Sequence, residues 1–166
     1  MVDISDAYEV AEADIEPEAE LRGAELSNAD LREAELTGAD LSDAEISRAK
    51  LVEATLVNTD LSGVEANSDT SLELADLSGA DLNEARLVGT NIGRVDATNT
   101  NFSRGDLYGA NMSGNFNYSD FQNTRLEGAN LRGASLTRCD LTGADLTDAD
   151  VRGTDFSFAD VSSATM

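Results

Sequence analysis

A large aliphatic or aromatic residue recurs at every fifth position along almost the whole of this 166-residue sequence. The unit is clear in residues 19–23, 24–28 and 29–33, where leucine is the middle residue and alanine stands two positions before it. We call the large residue the centre of its pentad. Thirty pentads lie between residues 19 and 166, and 28 of their centres are Leu, Ile, Val, Phe or Met. Self-similarity over so many units determines the architecture before any local propensity does.

A five-residue period fits neither an α-helix nor a flat strand. Five helical residues turn by roughly 500°, which would leave successive centres ~140° apart around the axis. A flat strand would place every second centre on the opposite face, because its side chains alternate. A short extended piece followed by a corner satisfies the pattern. The centre and the small residue two before it then point inward, and the residue between them points outward.

The corners carry a glycine signal. Glycine is the second residue after the centre in eleven pentads, for example at Gly23 and Gly114, and this suits a turn that needs φ > 0. Glu33, Arg48 and Glu53 occupy the same position in other pentads. We therefore expect two types of turn, one of which tolerates a β-carbon.

The repeat changes phase twice. Ala66 is a weak centre, and the centre that follows it is Leu72, one residue late. A small bulge on one corner is expected at residues 67–69, not a functional loop. After Met112 one residue is missing, so the next centre is Phe116.

The A-(D/N)-L-x-x units of residues 19–166 resemble the pentapeptide-repeat family. The resemblance implies an all-β fold, a right-handed quadrilateral parallel β-helix with four pentads in each coil. Thirty pentads then make about 7–8 coils, and a coil spacing of ~4.8 Å makes a rod roughly 35 Å long. Each coil of such a solenoid packs only on its neighbours, so the two ends need covers.

Residues 1–18 are expected to form an N-terminal cap or an irregular first coil. Two further pentads fit around Val10 and Ile15, with Glu18 as an inserted residue. Alternatively, Asp6 opens a capping box and a short helix. Either arrangement would cover the first coil.

The last pentads would leave apolar side chains on an uncovered coil. These are Phe156, Phe158, Val161 and Met166. Since an uncovered apolar solenoid end favours self-association, we expect a homodimer through the C-terminal coil.

Catalysis and cofactors have little support in the sequence. There is no histidine, the one cysteine (Cys139) falls at an inward small-residue position, and no phosphate loop, zinc spacing or nucleophile elbow occurs. We expect no catalytic residue, no cofactor and no specific metal. No signal peptide or membrane-spanning stretch is recognisable, so a cytoplasmic protein without membrane contact is expected.

The charge is large and polarised. The sequence holds 33 acids and 11 bases, a net charge of −22. Taking every fourth pentad gives one acidic face, with nine acids and two bases (net −7), and an opposite face with five of each (net zero). The acidic face has the centres Leu21, Leu41, Leu61, Leu82, Phe102, Phe121, Leu141 and Val161. Its proposed partner-binding residues are Asp40, Asp43, Asp60, Asp81, Glu84, Asp120, Asp140 and Asp160.

Two functions fit this charge. Outside residues 1–18 the net charge is −15, about one charge per 2.3 Å of rod, against one per ~1.7 Å for duplex DNA. The rod could therefore mimic DNA on a basic protein, and the resemblance implies a type II topoisomerase such as DNA gyrase as a partner. The alternative is a structural or scaffold repeat protein with an unknown partner, whose acidity reflects adaptation to concentrated salt. The sign of the charge argues against direct nucleic-acid binding.

Overall fold

The structure is a computed structural model that describes residues 14–166. Its two regular strands, β1 (Glu65–Ala66) and β2 (Arg86–Leu87), are two residues long and pair in parallel. The other coils are joined by isolated parallel bridges between equivalent residues of successive coils, such as Glu20 with Asp40. Most bridged residues are twenty apart, which is four pentads. The expected right-handed, four-sided β-helix is confirmed.

The same hydrogen bonds recur from coil to coil. The N–H of each centre donates to the coil that follows, as Leu21 N does to Asp40 O at 2.7 Å. The residue before a centre donates to the preceding coil, as Asp40 N does to Ala19 O at 2.9 Å. Stacking of coils therefore satisfies the backbone groups of the short extended pieces.

The pentad centres form the core. Six that the period identifies as buried are at most 3% exposed; they are Leu26, Ile46, Leu87, Leu107, Leu126 and Leu146. Five of the six inward threonines are also at most 1% exposed, and inward threonine hydroxyls donate to backbone carbonyls, as Thr59 Oγ1 does to Leu36 O at 2.8 Å. These bonds explain why threonine can replace alanine two positions before a centre, since a buried hydroxyl needs a partner.

Three phenylalanine centres pack together. Phe102 and Phe121 are centres of neighbouring coils on one face, and their rings stack with centroids 4.8 Å apart and planes at 4°. Phe116 meets both rings edge-on, at 5.9 Å and 6.0 Å. This cluster is core packing.

The expectation of two turn types was wrong at the corners that lack glycine. Glu33, Arg48 and Glu53 adopt φ values of 60°, 63° and 60°, close to the 65° of Gly23. The residue at these corners therefore adopts the left-handed conformation too, even though its side chain has a β-carbon. A non-glycine residue pays about 1–2 kcal/mol for that conformation.

Glu53→Gly is accordingly expected to stabilise the protein by up to about 1 kcal/mol, since relief of the left-handed strain is partly offset by the entropy of glycine. Glu35→Gly is the matched control, because Glu35 is exposed but its φ is not positive. That change should destabilise the protein by roughly 0.5–1 kcal/mol. Denaturant unfolding measures both, and a loss of stability in Glu53→Gly would contradict this account of the corners.

The two phase shifts have local structural solutions. The expected bulge is present at residues 67–69, where Thr70 N donates to Asn67 O at 3.0 Å and Asp69 N donates to Asn67 Oδ1 at 3.1 Å. At the deletion, Gly114 does not have the positive φ expected from its position. It lies instead against the preceding coil, where a β-carbon would stand 2.9 Å from Val95 O. Glycine is needed there for close approach.

At the N-terminal end, Glu18 is a corner residue and not an insertion. Its φ is 61°, and its N–H donates to Thr37 O at 2.9 Å, as Gly38 N donates to Val57 O in the next coil. Ile15 packs against the core. The pentad expected around Val10 and most of the alternative helix lie outside the described residues, so the boundary at residues 18–19 stays a prediction.

Candidate functional site

The outward residues of the acidic face form a straight column along the rod. Parallel bridges connect one to the next in every coil, so their spacing is that of stacked strands, ~4.8 Å. In order the column contains Glu20, Asp40, Asp60, Asp81, Asn101, Asp120, Asp140 and Asp160. The fold therefore brings together, in one line, acids that are about twenty residues or more apart in sequence.

The bases of this face do not neutralise the column. Arg22 pairs with Asp43 at 3.0 Å, and Arg104 pairs with Glu84 at 3.2 Å. Both of these acids were among the proposed partner-binding residues, and both lie at corners, with φ values of 60°. Within the described part of the chain, the proposed site therefore consists of two corner acids that form ion pairs and a column of acids that form none.

We call the acids of that column the acidic ladder. Within residues 14–166, none of them lies within ion-pair distance of a base. The acidic ladder consists of Glu20, Asp40, Asp60, Asp81, Asp120, Asp140 and Asp160. The whole excess of −7 on the acidic face therefore belongs to this one column.

The aspartates of the acidic ladder also hold the turns, a role that the sequence analysis missed. Asp60 Oδ1 accepts a hydrogen bond from Ser62 N at 2.9 Å, and Asp120 Oδ1 accepts one from Gln122 N at 2.8 Å. Such bonds are typical of Asp and Asn in turns. In the sequence, the frequent Asp or Asn immediately before the centre was the signal that could have identified this role.

The turn does not require a charge. On the opposite face, Asn91 Oδ1 accepts from Gly93 N at 3.1 Å and Asn130 Oδ1 accepts from Arg132 N at 3.2 Å, in the same geometry. Because asparagine satisfies the corner equally, the structural role explains the oxygen atom but not the negative charge of the acidic ladder.

On the opposite face, acids form ion pairs with nearby arginines. Arg94 pairs with Glu73 at 3.2 Å and Arg152 pairs with Asp150 at 2.6 Å. Its column carries an amide chain, in which Asn111 Nδ2 donates to Asn91 Oδ1 at 2.9 Å. The two faces therefore differ in the ion pairs that their acids make, as well as in the net charge expected from the sequence.

Two amides on the acidic face moderate repulsion within the ladder. Asn101 Nδ2 donates to Asp81 Oδ1 at 2.9 Å, and Gln122 Nε2 donates to Asp140 Oδ2 at 2.8 Å. Asn101 also interrupts the run of charges between Asp81 and Asp120. The carboxylates are thus held in place without being neutralised.

Hydrogen bonds favour the ionised form of two carboxyls of the ladder. The Ser42 hydroxyl, supported by the Ser42 N–H, lowers the pKa of Asp40 below its ordinary value. Ser162 lowers the pKa of Asp160 in the same way. Since both carboxyls titrate below their usual range, they remain charged at neutral and mildly acidic pH.

Salt is expected to stabilise the protein through the ladder. Neighbouring carboxylates ~4.8 Å apart repel by about 0.9 kcal/mol per pair in water, and ~1 M salt reduces the Debye length to ~3 Å. The midpoint of thermal unfolding should therefore rise between about 0.05 M and about 1 M NaCl.

Two triple variants test whether the acidic ladder causes this salt dependence of stability. The ladder variant is Asp60→Asn, Asp81→Asn and Asp120→Asn. The control variant is Asp76→Asn, Asp96→Asn and Asp155→Asn; these residues occupy the same pentad position on a lateral face and hold the same turns. The salt response should shrink more in the ladder variant, which loses three neighbouring acid pairs against one. An equal response in the two variants would contradict a dominant role of the ladder.

Four further features of the described residues bear on possible binding or catalysis. No group of three or more His, Cys, Asp or Glu among residues 14–166 could hold a metal ion. Burial raises the pKa of the Cys139 thiol to about 11, and its Sγ donates to Phe116 O at 2.9 Å. In the same part of the chain, no helix is long and apolar enough to cross a membrane. A shallow surface cleft lies beside the bulge, lined in part by Glu65, Arg86 and Tyr108.

One comparison with a solved structure shows the same fold, and a second structure is similar in sequence. A trypsin-treated form of QnrB1, described as a plasmid-mediated fluoroquinolone resistance protein, is 23% identical, with a TM-score of 0.50; the match covers 86% of this chain and 77% of that one. HetL, a pentapeptide repeat protein involved in heterocyst differentiation regulation in Nostoc sp. strain PCC 7120, is 29% identical, with a TM-score of 0.37; the match covers 87% of this chain and 70% of that one. Curated protein sequences gave no significant match.

A family model identifies the repeat directly. The model described as pentapeptide repeats matches eight copies, over residues 24–63, 70–114, 119–157 and 129–166. These segments cover most of the chain and agree with the coils seen in the structure. The chain therefore belongs to the pentapeptide-repeat family.

Proposed function

We propose that this protein is a non-catalytic binding module whose acidic ladder docks on the basic surface of a DNA-binding protein. A type II topoisomerase such as DNA gyrase is the partner to test first. The observation that carries the proposal is a column of seven acids that make no ion pair with any base of residues 14–166, in a fold where asparagine meets the same structural need on the opposite face. We propose a cytoplasmic location for this interaction.

The geometry of the ladder suits a surface that normally contacts DNA. Except at Asn101, the ladder presents one charge per ~4.8 Å, against one per ~3.4 Å along a DNA strand. Its carboxylates are fixed by turn hydrogen bonds, as at Asp60 and Asp140. Docking would therefore require little ordering of side chains, which lowers the entropic cost of binding. The long-range field of the ladder would favour encounter with a basic groove.

A catalytic role is not proposed for these acids. They lie on the outside of the rod, and the bonds at Asp40 and Asp160 lower the pKa, away from the value that a general acid needs near neutral pH. No cofactor is included in the proposal. The protein is also not proposed to bind nucleic acid or a membrane, since its charge is strongly negative.

A salt-adapted scaffold is the second candidate function. The composition favours it, since ten arginines and a single lysine accompany an excess of acids. In that case the charge would serve solubility in concentrated salt, where its field is screened within ~3 Å. We further propose, for either function, that the chain forms a homodimer through its C-terminal coil.

Competition with DNA tests the first candidate. The protein should bind an immobilised type II topoisomerase, bind more weakly as salt rises, and be displaced by duplex DNA. Simultaneous binding of DNA and this protein would contradict mimicry. No binding at any salt concentration would favour the scaffold function.

A further inference from the structure

One corner of the rod borders the acidic ladder and carries an exposed tyrosine. Tyr118 stands two residues before Asp120 in the chain, so the Cα atoms of the two residues are at most ~7 Å apart. Tyr118 is 55% exposed, and within residues 14–166 its hydroxyl makes no hydrogen bond. Tyr118 therefore lies at the edge of the surface that is proposed to bind a basic partner.

The corner does not need a tyrosine for its own structure. Tyr118 N donates to Thr137 O at 3.0 Å, and at the equivalent corner of another coil Gly79 N donates to Thr98 O at 2.9 Å. Tyr118 has a φ of 64° and Gly79 has a φ of 72°, in the left-handed region that bulky residues rarely adopt. Because glycine closes the corner with the same hydrogen bond, the turn does not explain the aromatic ring.

The tyrosine rings of this protein pair with guanidinium groups. The Arg138 guanidinium lies 5.8 Å from the centroid of the Tyr118 ring, within the range of a cation–π contact. The Arg125 guanidinium lies 4.5 Å from the centroid of the Tyr108 ring. Both tyrosines of residues 14–166 therefore contact an arginine. With Arg138 in place Tyr118 is still more than half exposed, so the residue has room for a second contact.

We propose that Tyr118 and Asp120 form a binding site for an arginine side chain of the partner protein. The Asp120 carboxylate accepts a hydrogen bond from Gln122 N at 2.8 Å but pairs with no base of residues 14–166. A guanidinium is planar, so it stacks on an aromatic ring and also pairs with a carboxylate, whereas the compact ammonium group of lysine has no flat face. Tyrosine and arginine are also enriched among the residues that dominate binding energy at interfaces. The site makes this part of the acidic ladder selective for arginine over lysine.

The arginine site rests on the proposed docking function, but its test does not need a topoisomerase. The probes are two synthetic peptides, hexa-arginine and hexa-lysine, at about 0.05 M NaCl, where charges are weakly screened. Calorimetry gives the affinity for each peptide, and NMR follows the ring protons of Tyr118 and Tyr108. Hexa-arginine should bind more tightly than hexa-lysine, and it should shift the ring protons of Tyr118 more than those of Tyr108.

Three single variants separate the ring from other effects. Tyr118→Leu removes the ring and should be tolerated, since Leu74 has a φ of 63° at another corner. It should lower the ratio of arginine-peptide to lysine-peptide affinity about two- to fivefold, the size of an exposed cation–π contact. Tyr118→Phe keeps the ring and should keep the ratio. Tyr108→Leu is the matched control and should also keep the ratio, because Asp106 beside it already pairs with Arg125.

Each outcome decides a separate point. No binding of either peptide, Tyr118 ring protons that do not respond to hexa-arginine, or a ratio that Tyr118→Leu leaves unchanged would overturn the arginine site. Equal losses in Tyr118→Leu and Tyr108→Leu would overturn it too, since the effect would not be local to the acidic ladder. A ratio that falls only in Tyr118→Leu, with no effect of the original protein on a topoisomerase, would support the site and overturn the proposed partner. An unchanged ratio, with a topoisomerase that responds to the acidic ladder, would leave the proposed function standing without this site.

Discussion

Leu87→Asp is expected to destabilise the protein severely. Leu87 is a fully buried centre in β2, and a carboxylate there would be buried without a partner. Changes of that type cost about 4 kcal/mol or more, which is much of the 5–15 kcal/mol that holds a typical domain together. Each coil packs only on its neighbours, so the damage would weaken both adjoining interfaces. Circular dichroism followed through thermal or urea unfolding gives the stability.

Leu74→Asp is the matched control for this prediction. Leu74 lies at a corner, is 39% exposed and has a φ of 63°. Aspartate tolerates the left-handed region better than leucine does, so the same substitution should be neutral or slightly stabilising here. If the two variants lost similar amounts of stability, the division of leucines into centres and corners would be wrong.

The core could be predicted because it depends only on the period. A strict five-residue repeat of Leu, as at Leu26, Leu31 and Leu36, leaves no other way to bury every centre. The alignment of equivalent residues into columns then follows from four pentads per coil. The charge on each face could therefore be assigned from the sequence once that number was known.

The corners could not be predicted from glycine alone. Glycine marks a left-handed residue when it is present, as at Gly23, but Glu33 and Arg48 adopt the same conformation because the stacked coils impose it. Tertiary contacts there outweigh a local preference of about 1–2 kcal/mol. Gly114 shows the converse, since its small size serves close packing and not a turn.

The division of the acidic face also needed the structure. Face-by-face counting assigned Asp43 and Glu84 to the same site as Asp60, but the structure pairs these two corner acids with Arg22 and Arg104. Ion pairing depends on which corner side chains stack in neighbouring coils, and composition by face does not contain that information.

The ladder variant is expected to lose most of its activity against a basic partner. Asp60→Asn, Asp81→Asn and Asp120→Asn remove three of the seven ladder charges, and each substituted amide oxygen can accept the turn hydrogen bond, as Asn91 and Asn130 do. The fold should therefore be retained. At about 0.5–1 kcal/mol for each exposed charge, the three changes should weaken binding about tenfold or more.

The control variant makes the comparison specific. Asp76→Asn, Asp96→Asn and Asp155→Asn change the net charge by the same amount and leave the acidic ladder unaltered. It should bind within about a factor of two of the original protein, because its changes lie on another face and distant exposed charges are screened.

The most direct measurement is DNA supercoiling by a purified type II topoisomerase, titrated with the original protein, the ladder variant and the control variant at several salt concentrations. The acidic ladder account predicts that the original protein and the control variant alter supercoiling at similar concentrations. The ladder variant should need about tenfold more protein, and all three effects should fade as salt rises. No effect of the original protein at any salt concentration, or equal effects of the two variants, would contradict a docking role for the acidic ladder on this class of partner.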